Sequence, residues 1–367
     1  MLKLLSSSKI TVVCLFLLFV LTFWGTIAQV QQGLYAAQDR FFNSFYFLAG
    51  GFIPFPGAQL VLWVFFINLI CMLSLSYKKY TRWDNSGLLI IHAGLILYFV
   101  AAFMIFHLSS ESNVHLAEGQ GTNVSVSYHE WELAYWADDS SEREVTAFDV
   151  RDFKPGFQVP FADKDFSLTV NKFYLNADAY SDATVKKGHP EILNASGITM
   201  LTEKPLNKEN EQNIEGGVFD LKANGNSYSL YLFGADGEPT SVDMAGKTYY
   251  FVLRHKRYPL PFTIRLDHFK AEFHPGTEMA KSYESLVTVT TGTLSRQVRI
   301  YMNNPLRYKD YTVYQASYDN DSTGRQYSTL AVVKNSARIM PYVACLLVFF
   351  GLALHFLIQA FLAKARR

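Results

Sequence analysis

Four apolar runs, each long enough to cross a bilayer, restrict what this chain can fold into more than any other feature. A hydrocarbon core of ~30 Å takes about 20 helical residues. Backbone in lipid must also satisfy its own hydrogen bonds, which selects helices. The runs read as transmembrane helices over Ile10–Gln29, Pro56–Tyr77, Ser86–Leu108 and Met340–Leu362. Three precede a long polar stretch and one follows it. Half of the 367 residues are hydrophobic, and they collect in these runs. The first run has a second reading as a signal peptide, with Lys3 and Lys9 ahead of it and Ala28 as a cleavage site. It is long for that role, and the charge topology works better if it is a span.

Lys3 and Lys9 precede the first run, Lys78, Lys79 and Arg82 lie between the second and third, and Lys364, Arg366 and Arg367 follow the fourth. With four spans these short basic segments fall on one side, the cytoplasm. The expected fold is a membrane protein with four helices and a large β-rich extracytoplasmic domain between helices 3 and 4. Its regions are 1–108, 109–339 and 340–367. Both termini are then cytoplasmic and the large domain extracytoplasmic. A formal net charge of +1 gives no sign of nucleic acid.

Cys14, Cys71 and Cys345 all fall within spans, so the exported stretch is not disulfide-stapled and holds no thiol chemistry. There is no C-x-x-C and no C-x-x-C-H. The outer segment Val30–Phe55 is rich in aromatics suited to a membrane interface, as a loop or short helix lying on it. In the exported stretch, Phe166–Tyr174, Tyr228–Phe233, Thr263–Phe269 and Leu286–Thr290 alternate apolar and polar residues between turn formers, which predicts strands. Asn224-Gly and Asp236-Gly read as hairpin turns. A β-sandwich or barrel-like domain follows, with Ser181–Asn213 its least regular part.

His92 is embedded in the third run. A polar group there is costly unless partnered, so its tasks are few: binding a metal or haem iron, relaying a proton, or bonding to a neighbouring helix. His355 lies in the fourth run. Topology puts both imidazoles at a depth of roughly 7–10 Å on the cytoplasmic side, where they could ligate one haem iron from two helices. Alternatively each bonds to a neighbouring helix, the stronger reading for His355, which lies nearer a helix end. Gly87, Gly94 and Ala101 recur every seven residues and form a small face for close helix contact. His92 points about 160° away from it. His107, His115, His129, His189, His255, His268 and His274 show no metal-binding spacing. Neither G-x-S-x-G nor a set acid pair supports hydrolysis.

Several stretches resemble the ResB/CcsB family of cytochrome c biogenesis proteins (System II). They are Leu5-Ser-Ser-Ser-Lys with Gly25-Thr-Ile-Ala-Gln, Pro56-Gly with Ile67-Asn68, and Arg82-Trp-Asp-Asn-Ser-Gly-Leu-Leu-Ile-Ile-His-Ala-Gly. Leu116-Ala-Glu-Gly-Gln, Phe269-Lys-Ala-Glu-Phe-His-Pro-Gly-Thr and Asn304-Pro-Leu-Arg-Tyr-Lys-Asp-Tyr-Thr-Val-Tyr-Gln-Ala-Ser-Tyr follow in family order. The resemblance implies a haem b-binding subunit of a haem lyase (holocytochrome c synthase) complex, not an enzyme by itself. With a ResC/CcsA-type partner it would export haem and present it to apocytochrome c. A thioredoxin-like pathway would keep the acceptor thiols reduced. The resemblance also implies that His92 is a haem axial ligand and does not extend to His355. The five tryptophans, Trp24, Trp63, Trp83, Trp131 and Trp136, do not form the partner's motif. Two other classes stay open: a membrane-anchored binding or sensor protein, and a haem b electron-transfer subunit using His92 and His355.

Overall fold

Each apolar run folds as one long helix: α1 (Ser8–Gln32), α2 (Ala58–Leu75), α3 (Ser86–Leu108) and α4 (Met340–Ala365). All four are long and apolar enough to cross a membrane. These come from a computed structural model that describes residues 2–138, 144–161, 166–181, 192–223, 225–244, 246–277, 280–321 and 323–365. Helix α2 stops at Leu75, two residues short of the expected Tyr77. Ser76 leaves helical geometry at φ −98°, ψ 9°, and a separate turn of helix, Tyr77–Tyr80, begins there. Strands from Ser110 to Lys334 follow α3 in the chain and precede α4.

The chain divides into two compact units. One holds Met1–Ser110, Arg307–Thr312 and Val333–Arg367, the other Glu111–Leu306 and Val313–Val332. The expected 109–339 region therefore contributes two pieces to the helical unit. Hydrogen bonds tie those pieces to each other: Asn335 N donates to the Asp310 carbonyl at 2.8 Å, and the Arg338 guanidinium donates to Thr312 Oγ1 at 3.3 Å.

Within the helical unit, two polar or small-residue contacts set the helix pairing. Asn68 of α2 is 1 % exposed. Its amide donates to the Leu5 and Ser7 carbonyls and its oxygen accepts from Thr11 Oγ1 at 2.7 Å. An amide in an apolar helix needs such partners, and here they come from α1 and the turn before it. The second contact joins α3 to α4. A Cβ on Gly87 would stand 2.5 Å from the His355 backbone nitrogen and 2.7 Å from the Gly351 carbonyl. On Gly94 it would stand 3.0 Å from the Ala344 carbonyl, and on Gly351 2.8 Å from Ile91 N. The seven-residue stripe read from the sequence is this interface.

The segment between α1 and α2 differs from the expected interfacial loop or short helix. It does contain a short helix, Leu34–Gln38, continued by a π-turn, Asp39–Asn43. A β-hairpin follows, pairing Tyr46–Ala49 with Ile53–Pro56. The turn is Gly50-Gly51, both at positive φ, which glycine adopts without steric cost. Trp24, Phe41, Phe47 and Phe55 pack beneath the hairpin with ring centroids 4.8–5.6 Å apart.

The second unit is a sandwich. One sheet runs Leu294–Tyr301, Ala280–Thr291, Lys247–Phe273, Gly121–Ala137, Ser110–Ala117, Gln326–Lys334 and Tyr311–Asn320; the other Phe166–Tyr174, Gly216–Ala223, Asn226–Phe233 and Ile192–Leu193. Alternate residues of both sheets meet in one core, including Leu133, Leu168, Val170, Phe219, Leu221, Leu230 and Phe251. All four alternating runs lie in strands. The 27-residue strand Lys247–Phe273 loses register between Pro259 and Ile264, where Pro259 and Pro261 have no N–H to give the ladder. Gly216–Ala223 and Asn226–Phe233 form a hairpin whose turn includes Gly225 at φ 78°; Asn224 lies outside the described residues. Asp236-Gly237 is not a hairpin turn. The strand before it belongs to the smaller sheet, and the one after it, Thr240–Met244, pairs with Lys247–Phe273. Gly237 lacks the positive φ that a two-residue hairpin turn requires. In Ser181–Asn213, residues 182–191 lie outside the described set, Met200–Glu203 pairs with Ala177–Tyr180, and Asn210–Gln212 is one 3₁₀ turn.

Gly87→Leu should destabilise the helical unit by about 1–3 kcal/mol, the usual cost of overpacking. A fall in the melting temperature of the detergent-purified chain would register it, while Gly237→Ala, with open space around it and no positive φ, should change the melt far less.

Candidate functional site

His92 lies on α3, half-buried. Its Nδ1 is 2.6 Å from the Leu88 carbonyl oxygen, one turn back. A carbonyl oxygen only accepts, so Nδ1 carries the proton and Nε2 keeps its lone pair. Fixing a ring by a bond at one nitrogen so that the other can ligate is how protein imidazoles are prepared for metal. The Tyr80 ring, from the turn after α2, lies 5.0 Å from the imidazole, tilted by 42°.

The α3–α4 contact decides which way this ring faces. At about 100° per residue, Phe99, Phe103 and Phe106 fall within about 40° of His92, whereas Gly87, Gly94 and Ala101 are about 140–180° away. The glycine stripe is spent on α4, so His92 looks to the opposite side. His355 does not join it. The His355 backbone abuts Gly87, and its Nδ1 is buried without a hydrogen-bond partner among the described residues. Matched depth suggested a shared iron site for the pair; around α3, His92 stands about 140° from Gly87, the residue on which the His355 backbone packs.

Among the described residues no three His, Cys, Asp or Glu side chains converge on a metal-sized site. The remaining histidines are scattered. His115 stacks on Tyr327 at 4.9 Å, His268 pairs with Glu118 at 2.8 Å, and His129 lies 3.6 Å from Glu211. His189 lies outside the described residues. His107 rests on Phe103 and Phe106 with centroids 4.3 and 4.9 Å away.

The β unit holds a charged network that local sequence did not announce. Arg254 donates to Glu132 at 2.9 Å across adjacent strands, with both side chains largely buried. Beside it, Lys256 reaches Asp149 at 3.0 Å and Glu130 at 3.3 Å, and Arg151 reaches Asp149 at 2.7 Å. Burial would raise the Asp149 carboxyl, but the Arg151 and Lys256 hydrogen bonds win and hold it well below the usual carboxylate range. Burial, then a hydrogen bond to Glu130, pushes the Tyr258 phenol up. Nearby, burial and then the Asp149 charge push the Glu215 carboxyl up to about 8, and its Oε2 has no hydrogen-bond partner among the described residues. The His255 ring stacks on Trp131 at 3.9 Å, and burial lowers its pKa against an opposing bond to the Glu130 backbone. These cross-strand contacts brace the sandwich.

A family model described as "ResB-like family" matches residues 246–325. That stretch lies in the long strand Lys247–Phe273 and the strands after it, so His92 is outside it. Protein NrfI of Wolinella succinogenes is 31 % identical over 96 residues, which cover 26 % of this chain and 10 % of that protein. The matched part is thus about a tenth of that relative's length.

The raised Glu215 carboxyl has a consequence for stability. Its folded pKa lies above its unfolded value, so its contribution is full below about pH 4.5 and is lost as pH rises through about 8. In Glu215→Gln the fall in unfolding free energy between pH 5 and 8 should flatten, by up to ~1.4 kcal/mol per pH unit at the steepest point. Unfolding curves of the two chains across that range measure it.

Proposed function

From the match of residues 246–325 to the ResB-like family model, we propose that the chain serves cytochrome c biogenesis as a membrane subunit that binds haem b through His92. The observation that carries this reading is the His92 tautomer. The Leu88 carbonyl accepts a hydrogen bond from Nδ1–H, which leaves a bare Nε2 in an apolar setting, the donor that haem iron takes. Haem is cargo here, and its vinyl groups form the thioethers to the acceptor protein.

The protein's own residues do three things. Leu88 sets the imidazole tautomer. The α3–α4 glycine contact turns that imidazole away from α4. Tyr80 closes one side of the ring. In this reading the spans place His92 near the cytoplasmic face of a bacterial inner membrane, both termini are cytoplasmic, and the β unit is periplasmic. A ResC/CcsA-type partner supplies the remaining ligands and shares the export step. Cys14, Cys71 and Cys345 lie in the helices, so a thioredoxin-like pathway keeps the apocytochrome c thiols reduced. The sandwich, braced by its ion pairs, serves as a scaffold or as the dock for apocytochrome c.

The test is the absorption spectrum of the full chain, coexpressed with such a partner under haem-replete conditions. His92→Ala should remove most of the Soret band from this chain's site, and His355→Ala should leave it. Equal loss in both variants would favour a two-histidine electron-transfer site. A wild-type complex without haem would overturn the reading.

A further inference from the structure

Register in the hairpin of Ala280–Thr291 and Leu294–Tyr301 fixes where the backbone groups of its second strand point. The strands are joined by the two-residue turn Gly292-Thr293, with Gly292 at φ 57°, so the closing pair, Thr291 and Leu294, is a hydrogen-bonded one. Bonded and non-bonded pairs then alternate along an antiparallel ladder. Leu294, Arg296, Val298 and Ile300 therefore give their N–H and C=O groups to the neighbouring strand, opposite Thr291, Val289, Val287 and Ser285. Ser295, Gln297, Arg299 and Tyr301 point theirs the other way. Tyr301 bonds to Asn304. The outward groups of Ser295, Gln297 and Arg299 have no backbone partner among the described residues, because Leu294–Tyr301 ends its sheet.

An open edge invites another chain, and proteins usually blunt it with short strands, proline, bulges or a covering segment. The smaller sheet does so on both sides. It ends at one side in Ile192–Leu193, two residues long. At the other, Phe166–Tyr174 is bonded along its free side by residues 156–159, with Gly156 N donating to the Val170 carbonyl and Val159 N to the Leu168 carbonyl. The far end of the larger sheet is Leu306–Tyr308, three residues long. Leu294–Tyr301 uses none of these devices. It has eight residues and no proline, keeps unbroken register with its neighbour, and is exposed except at Val298 and Ile300. Arg299 is drawn sideways onto Glu284 of the adjacent strand and leaves its own backbone uncovered.

We propose that this edge is the dock for the acceptor: an extended segment of apocytochrome c adds to the sheet as a further strand beside Ser295, Gln297 and Arg299. This rests on the cytochrome c biogenesis reading. A protein whose native state is stabilised by haem lacks that support before haem arrives, so its chain offers unpaired N–H and C=O groups. Main-chain hydrogen bonds take up such a backbone with little regard to its side chains. The residues that match the ResB-like family model, 246–325, include the whole hairpin, so the stretch tied to biogenesis is the one that carries the edge. A second copy is the poorer occupant, since each edge would bring Arg296 and Arg299 and no acidic residue to the other.

The test uses the full-length chain in detergent and a fluorescent apocytochrome c with alkylated thiols, and follows binding by anisotropy. Wild-type protein should bind it saturably, and peptide segments of the acceptor should compete. Gln297→Pro removes one outward N–H, a change that edge strands tolerate, and should weaken binding at least tenfold. Unfolding curves verify that the variant is folded. Independently of any variant, a competing peptide with its backbone N-methylated should lose its effect, while one of scrambled sequence should keep it. Binding indifferent to both Gln297→Pro and N-methylation would overturn the proposal. A wild-type dimer that Gln297→Pro splits, seen by light scattering, would assign the edge to a second copy and overturn it too. A complex that holds haem but binds no apocytochrome would sink this inference and spare the His92 reading. Binding at this edge by a complex without haem would do the reverse.

Discussion

The close approach of α3 to α4 is the contact on which the helical unit turns. Small residues make it, with the Val348 side chain seated on Gly94 and the Ile91 side chain on Gly351. Gly87, Gly94 and Gly351 bring backbone against backbone, and in lipid, where no hydrophobic force drives helices together, such packing is a main source of association. The geometry has a second effect. A helix that commits one face to a rigid neighbour has fixed the direction of every other residue on it. His92 and the three phenylalanines beyond it look the other way because the glycines look at α4.

Much of this was legible in the sequence for physical reasons. Bilayer thickness sets a length that the four apolar runs had to meet, and they did so to within a few residues. The period of Gly87, Gly94 and Ala101 announced a tight interface, and helical geometry gave the angle to His92. Strand alternation marked Phe166–Tyr174 and Leu286–Thr290, because one face of each is buried in the sandwich core. Each of these signals is local, and local signals survive in a single sequence.

What the sequence hid was pairing between distant segments. The raised Glu215 carboxyl depends on burial and on the charge of Asp149, a residue far away in the chain. The Asp236-Gly237 dipeptide looks like any hairpin turn until the sheets on either side of it are known. The hairpin after α1 was missed for another reason. Its aromatics spoke of an interface, while Gly50-Gly51, flanked by Tyr-Phe-Leu-Ala and Ile-Pro-Phe-Pro, is the turn signal and was outweighed. For His92 and His355, matched depth along two helices says nothing about rotation around them.

The seven-residue stripe also works as a phase marker. Adding or removing one residue between Gly87 and His92 would leave composition, hydropathy and span length almost unchanged, yet it would turn the imidazole by about 100° relative to α4. Substitutions in this stretch can be graded by size, but a change in its length is all or none. The spacing of α3 is thus held as strictly as its chemistry, and a chain that kept His92 while shifting it by one position would carry the right residue on the wrong side of the helix.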